Sequence, residues 1–464
     1  MPEINYWLLF LLFWILIYFF VWGKSFSLFI CPVFWMGMGF LLNAGLYFSS
    51  GYDFFYKLRP SGLLYIIAIW VSYSLSFILN ICKKAVSQSN GAENERSSMT
   101  PDNSIDIEQK DLLKQANVFL NQNLCIILFC FNLIGFLLFF VDFIRFNSFG
   151  ISSELHTESV NSKMGVIGII FCFLGIVIWL YNVHYAITND MRIKTYAFLS
   201  LLFFLAPNAV IAGRQAFLLI IVSTLVVIKI SLHEKQQYKY SKEYFLLFII
   251  FIFLILSFST LIAMKRSGVD NKIALLQYCM NCEIPEKTQS QLIQTGPFQY
   301  FFLEVLSYYS HELPTFQTLY DNWDYGLLLG GSQFQFISRK LSIDSKYSFD
   351  YMWLCLDDLH EYLGNYSHTW RTIAGNCIID YGRIGGLFYM FICGLLSRFV
   401  YSKAINSFVV KDVLLLALVD AGAFFCLQYS PFCELSWFSP LIWILVIIPV
   451  LGSVFKSFND QISC

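Results

Sequence analysis

Charged side chains are scarce in this chain: 13% of its 464 residues are Asp, Glu, Lys or Arg, against 57% apolar and 19% aromatic residues. Such a composition, with a mean hydropathy of +0.62, cannot be buried in a water-soluble core, so the expected solvent is lipid. Short alternating segments of about ten residues are missing, which argues against a membrane β-barrel. The first apolar run has no basic flank and no small-residue cleavage site, so it reads as a span and not as a removed leader. Two similar halves are missing too, as a transporter built on repeats would show. Metal-ligand spacing is absent: "CMNC" has no second ligand pair, and neither Asp357-Asp358 nor "DNWD" carries the pattern around a divalent cation. No metal, cofactor or nucleic-acid partner is expected, and a net charge of −1 points to no class of partner.

What the chain has is long apolar runs. About eleven, with a range of ten to twelve, reach the roughly 20 residues that cross a bilayer as a helix. They begin near Tyr6, Phe26, Leu63, Leu120, Met164, Tyr196, Gln215, Tyr244, Leu387, Val413 and Trp437. The expected fold is an all-α polytopic membrane protein forming one domain over residues 1–464, embedded in the lipid bilayer. Two polar connections rich in lysine, a linker over residues 83–119 and "HEKQQYKYSK" after the seventh run, belong in the cytoplasm by the positive-inside rule. The first of them, with its Ser, Asn and Glu, reads as flexible. Alternation then puts residues 265–383 outside and the C-terminus inside. This outer segment stays aromatic and semi-apolar, as in "GPFQYFFLEVLSYYSHELP". It should fold back on the bundle as amphipathic or re-entrant helices.

Of thirteen cysteines, most are scattered in the apolar runs, where a thiol acts as a small apolar group. Cys279, Cys282, Cys355 and Cys377 fall in the outer segment, where either a disulfide or free thiols would be compatible with an oxidising compartment.

Charges at membrane edges are costly and hence functional candidates. Gly213-Arg214 opens the seventh run at its outer end, where backbone N–H groups and a guanidinium would suit an anion such as phosphate; a snorkelling arginine is the plain alternative. Lys265-Arg266 closes the eighth run on the same side, against the usual charge bias; cations satisfying a helix C-terminus are the alternative. Glu304, Tyr308 and His311 fall on one face of a helix, either lining a groove or forming a satisfied polar face. Trp323, Tyr325, Trp353 and Trp370 offer flat rings to sugars or to the interface. Most concentrated is "SHTWRTIAGNCIIDYGRIGG", with His368, Arg371, Asp380 and Arg383 just before the ninth run.

Taken in order, "GRQ" at one span start, "KRSG" at the next span end, a long outer segment and then "IIDYGRIGGLFYMFICGLL" resemble the Wzy-type oligosaccharide repeat-unit (O-antigen) polymerases over roughly Asn208 to Phe399. Those proteins typically carry an acidic-aromatic-Gly, x-x-Gly motif entering a span, here Asp380-Tyr381-Gly382 and Gly385. The resemblance implies a GT-C-like fold in the bacterial inner membrane, with the active site facing the periplasm. It implies a metal-independent glycosyltransferase whose donor and acceptor are undecaprenyl-diphosphate-linked oligosaccharides, assisted by a chain-length regulator of the Wzz type. In this reading Arg214, Lys265, Arg266 and Arg371 hold diphosphate, and cations stabilise the leaving group. His368 is the expected base for the acceptor hydroxyl, and Asp380 is expected to orient either His368 or Arg371. Asp380, Glu304 and His311 are the alternative bases.

Two other readings stay open. An O-antigen ligase would move finished glycan to lipid A core, but its family usually shows His-Asn before the acidic-x-Gly motif, whereas His368 is followed by Thr369 and lies farther upstream. A lipid-linked oligosaccharide flippase would be expected to have short loops and related halves.

Overall fold

The computed structural model describes residues 26–91, 122–146, 163–210, 215–235, 277, 282–294, 310–334, 349–359, 372–426, 430–433 and 435–454. Five helices there are long and apolar enough to cross a membrane: Pro60–Ile78, Leu124–Arg145, Met164–Thr188, Ile373–Ser407 and Ser436–Val454. The protein is an all-α membrane protein. The runs expected to start at Tyr6 and Tyr244 lie outside the described residues, as do Arg214, Lys265, Arg266, Glu304, His368 and Arg371.

The elements, in chain order, are α1 (Pro32–Ser49), β1 (Asp53–Phe54), α2 (Pro60–Gly91), α3 (Gln122–Phe146), α4 (Lys163–Cys172), α5 (Leu174–Thr188), α6 (Thr195–Val210) and α7 (Gln215–Glu234). They continue with β2 (Cys282–Glu283), α8 (Glu286–Gln294), α9 (Glu312–Asn322), α10 (Phe349–Asp358), α11 (Ile373–Ser407), α12 (Val410–Phe425) and α13 (Leu435–Ile442), which runs on through a π-helical turn, Trp443–Ile447. The run expected from Phe26 is broken at Ile30–Cys31, and α1 starts with Pro32 at its first turn, where a proline's missing N–H costs nothing. At the other end α2 continues through Gly91, so the first residues of the 83–119 stretch are helical; no Pro or Gly interrupts them before Gly91.

Burial sorts the helices into layers. α5 and α12 are buried along most of their length, from Leu174 to His184 and from Val413 to Phe425 except Val419, the mark of helices surrounded by others. α12 packs on α1, α7 and α11, while α5 packs on α6 and α7. Around them α11 exposes Ile384, Phe388, Ile392, Leu396 and Phe399, spaced at three and four residues, so one apolar stripe faces outward. Glycines set the closest approaches: a Cβ on Gly39 would strike the Phe424 carbonyl oxygen, one on Gly394 that of Tyr73, and one on Gly175 that of Ser200. Between α4 and α5 the chain breaks at Phe173, and the Asn132 amide of α3 donates to the carbonyls of Phe171 (3.0 Å) and Cys172 (2.9 Å).

Parts of the 265–383 segment lie against one end of this bundle. α9 is buried from Glu312 to Leu319 and touches α1, α2 and α11. β2 pairs antiparallel with β1, Asp53 opposite Glu283 and Phe54 opposite Cys282, which fastens the α1–α2 connection to the same end. Cys282, Cys355 and Cys377 are buried, and Cys279 lies outside the described residues.

Candidate functional site

The site grows from a break in α11. Thr372 caps the helix by accepting the Gly375 N–H at 2.9 Å, and the Ile373 N–H donates to the Cys426 carbonyl at 2.7 Å, tying its start to the end of α12. At Gly382 the backbone leaves the helical region, with φ 70° and ψ 178°. That conformation is open essentially to glycine alone. A break there takes the carbonyls just before it away from their usual partners four residues on. The chain supplies replacements: the Leu328 N–H donates to the Ile379 carbonyl (3.1 Å) and the Leu329 N–H to that of Asp380 (3.0 Å).

Asp380 completes the fastening. Its carboxylate is 0% exposed, and it accepts the Ser332 N–H on Oδ1 at 2.9 Å and the Gln333 N–H on Oδ2 at 3.0 Å. Two consecutive amides thus face one carboxylate, and hydrogen bonds to an ionised acceptor are among the stronger ones. The turn is held from behind as well: the Gln333 side chain accepts the Ser430 hydroxyl and sets its amide 4.0 Å from the Cys377 sulfur. The backbone follows this clamp, with Leu329 at φ 47° and Gly330 at φ 99°.

What the clamp positions is the residue after the break. Arg383 is exposed, its Nη2 donates to the Tyr320 carbonyl at 2.6 Å, and its guanidinium lies 4.1 Å from the centre of the Tyr320 ring. Its own carbonyl accepts the Tyr65 hydroxyl at 3.0 Å. Among the described residues no carboxylate pairs with Arg383. The guanidinium is therefore fixed in place at the break in α11, with no carboxylate partner among the described residues.

Arg59, on the α1–α2 connection, sits along the same helix α9. Its backbone N–H donates to Gln317 at 3.0 Å, and its guanidinium is 3.3 Å from Asp321. Asp321 also accepts from the Tyr56 hydroxyl (2.7 Å) and the Gln317 amide (3.0 Å). Burial, and then the bond to Asp321, hold the Tyr56 hydroxyl above the usual phenol value. Asp321 compensates the charge of Arg59, so its guanidinium is the less available of the two arginines. Aromatic rings border both. Tyr65 stacks on Phe316 with centroids 6.1 Å apart and an 8° interplanar angle, and Trp323 meets Tyr325 edge-on at 5.2 Å.

Of the residues singled out by the sequence, Asp380 stands at the centre of this arrangement. His311 is buried at the start of α9, its Nδ1 3.7 Å from the Glu312 carboxylate, and so is lodged beneath the rim. Trp323 and Tyr325 are half-buried just beyond the end of α9, whereas Tyr308, Trp370 and the Trp353 side chain lie outside the described residues. Asp357 and Asp358 are exposed at the end of α10. Sequence reasoning passed over Arg59 and Tyr56 altogether and gave Arg383 no role. For Arg383 a signal was there, an arginine directly after the glycine of an acidic-aromatic-glycine motif. No known protein family, curated protein or solved structure matches this chain.

Proposed function

We propose that this protein is a polymerase of the Wzy type, an eleven-span, GT-C-like enzyme of the bacterial inner membrane. It joins oligosaccharide units carried on undecaprenyl diphosphate at the periplasmic face. The observation that carries the reading is Arg383: a fixed, exposed guanidinium with no carboxylate partner among the described residues, set beside the Tyr320 ring and positioned by the Asp380–Gly382 break. Such a group suits a diphosphate, which a guanidinium binds through paired charge-assisted bonds, while flat rings nearby suit the faces of sugars.

In the reaction the acceptor hydroxyl attacks the anomeric carbon of the growing glycan. A new C–O bond forms as the bond to diphosphate breaks, lipid diphosphate leaves with the electron pair, and the hydroxyl proton passes to a base. Cations aimed at the leaving oxygens stabilise the charge that develops there. Arg383 joins Arg214, Lys265, Arg266 and Arg371 in that task, and His368 takes the proton. Asp380 acts by position: it holds the break that presents Arg383.

Deletion of the gene tests the reading. Lipopolysaccharide from the deletion strain should show lipid A core capped with a single repeat unit. Loss of a ligase would leave no unit attached, and loss of a flippase would trap units in the cytoplasm; either pattern defeats the proposal.

A further inference from the structure

Away from the rim, the middle of the bundle holds an acid that the proposed reaction does not use. Asp420 lies ten residues from the start of α12, about 15 Å along a helix rising 1.5 Å per residue, on a helix surrounded by others. It is 0% exposed, and neither carboxyl oxygen has a hydrogen-bonding partner among the described residues. Among the described residues the groups that interact with it are neutral: Cys31 before α1, Tyr73 of α2 and Tyr401 of α11. Tyr401 donates its hydroxyl to the Ser27 carbonyl at 3.0 Å, and Tyr73 is engaged with Ser397.

Several ionisable groups on the helices packed against α12 are turned to other tasks. Lys229 of α7 sits 6.0 Å from the centre of the Phe29 ring, and Arg398 of α11 donates to the Ser76 carbonyl at 2.9 Å. Lys403 lies over Phe399. On α5, His184 is bound to Ser231 at 2.8 Å and faces Glu234. A fully buried ionised carboxylate without a partner is among the costliest groups a bundle can hold. A metal cation in its place would ask for several oxygen ligands, and thiols and engaged phenols do not provide them. A proton needs only the carboxyl itself.

We propose that Asp420 is a proton-binding site at the centre of the bundle, a neutral carboxylic acid while α12 is packed against α1 and α11. It passes its proton to water when those helices part enough to hydrate it. Protonation is thereby coupled to helix packing, independently of the chemistry at the rim, so this inference stands whether or not the polymerase reading does.

Infrared spectroscopy of the full-length protein in lipid tests it. The wild type should show a protonated-carboxyl C=O band at neutral pH that is missing from Asp420→Asn and that disappears reversibly as the medium is made alkaline. Asp420→Glu, which keeps the acid and moves the band, provides the assignment if the Asn variant does not accumulate. A spectrum with no such band at neutral pH would overturn the proposal, since Asp420 would then be ionised and paired. A band unchanged over the whole pH range in which the protein stays folded would overturn it too, because the acid would be inert.

Discussion

Replacing Asp380 by Asn removes one charge and one acceptor from the clamp while leaving its shape. The wild-type carboxylate accepts one backbone N–H on each oxygen, at 2.9 and 3.0 Å. The amide of Asn keeps one acceptor and turns an NH2 toward the other donor, so one charge-assisted bond of about 1.5–3 kcal/mol is lost. At 1.4 kcal/mol per tenfold, opening of the turn over residues 328–334 should become roughly 10- to 150-fold more frequent. Cys377 reports that opening, because its thiol is 0% exposed and lies directly behind Gln333. The assay is the rate of maleimide labelling at Cys377, read by mass spectrometry, with buried Cys355 as internal reference. A Cys377 rate within about twofold of wild type would refute the reasoning, since local opening should follow the lost bond.

Gly382→Ala places a Cβ only 3.5 Å from Leu327, an ordinary contact, so its cost is conformational: about 1–3 kcal/mol, seen as a lower thermal midpoint in detergent and faster Cys377 labelling. Burial pushes the Cys282 thiol up to about 12, which leaves it protonated at mildly alkaline pH; it should resist iodoacetamide there in folded protein and react promptly once the chain is unfolded. Arg383→Ala should abolish long glycan chains at normal membrane levels of protein, and Arg383→Lys should restore them only in part, because an ammonium lacks the planar fork; full chain length in the Ala variant would make Arg383 an interfacial anchor. Arg59→Ala, whose charge Asp321 already offsets, should shorten chains less than Arg383→Ala does, as gels of the two strains compared side by side would reveal.

The helices were legible because apolar runs of span length have few other solutions. Leu124–Arg145 and Met164–Thr188 could be read almost directly from composition. Local exceptions followed local rules that the run-length criterion does not weigh, such as the break before Pro32 and the helical continuation to Gly91. The site was legible only in outline. "DYG" stood out as a motif, but a glycine's sign of φ is not written in its neighbours, so the break and the clamp on it were hidden. Arg59 and Tyr56 were missed for a different reason. Their partners Gln317 and Asp321 are more than 250 residues away, and no periodicity announces a contact made only when α9 folds onto the bundle.

The central claim is best tested by adding purified protein, in bilayers, to a single species of undecaprenyl-diphosphate-linked repeat unit. The expected products are a ladder of lipid-linked glycans two units and longer, with free lipid diphosphate released once per bond formed. Units that remain single, or that move only onto added lipid A core, would contradict it.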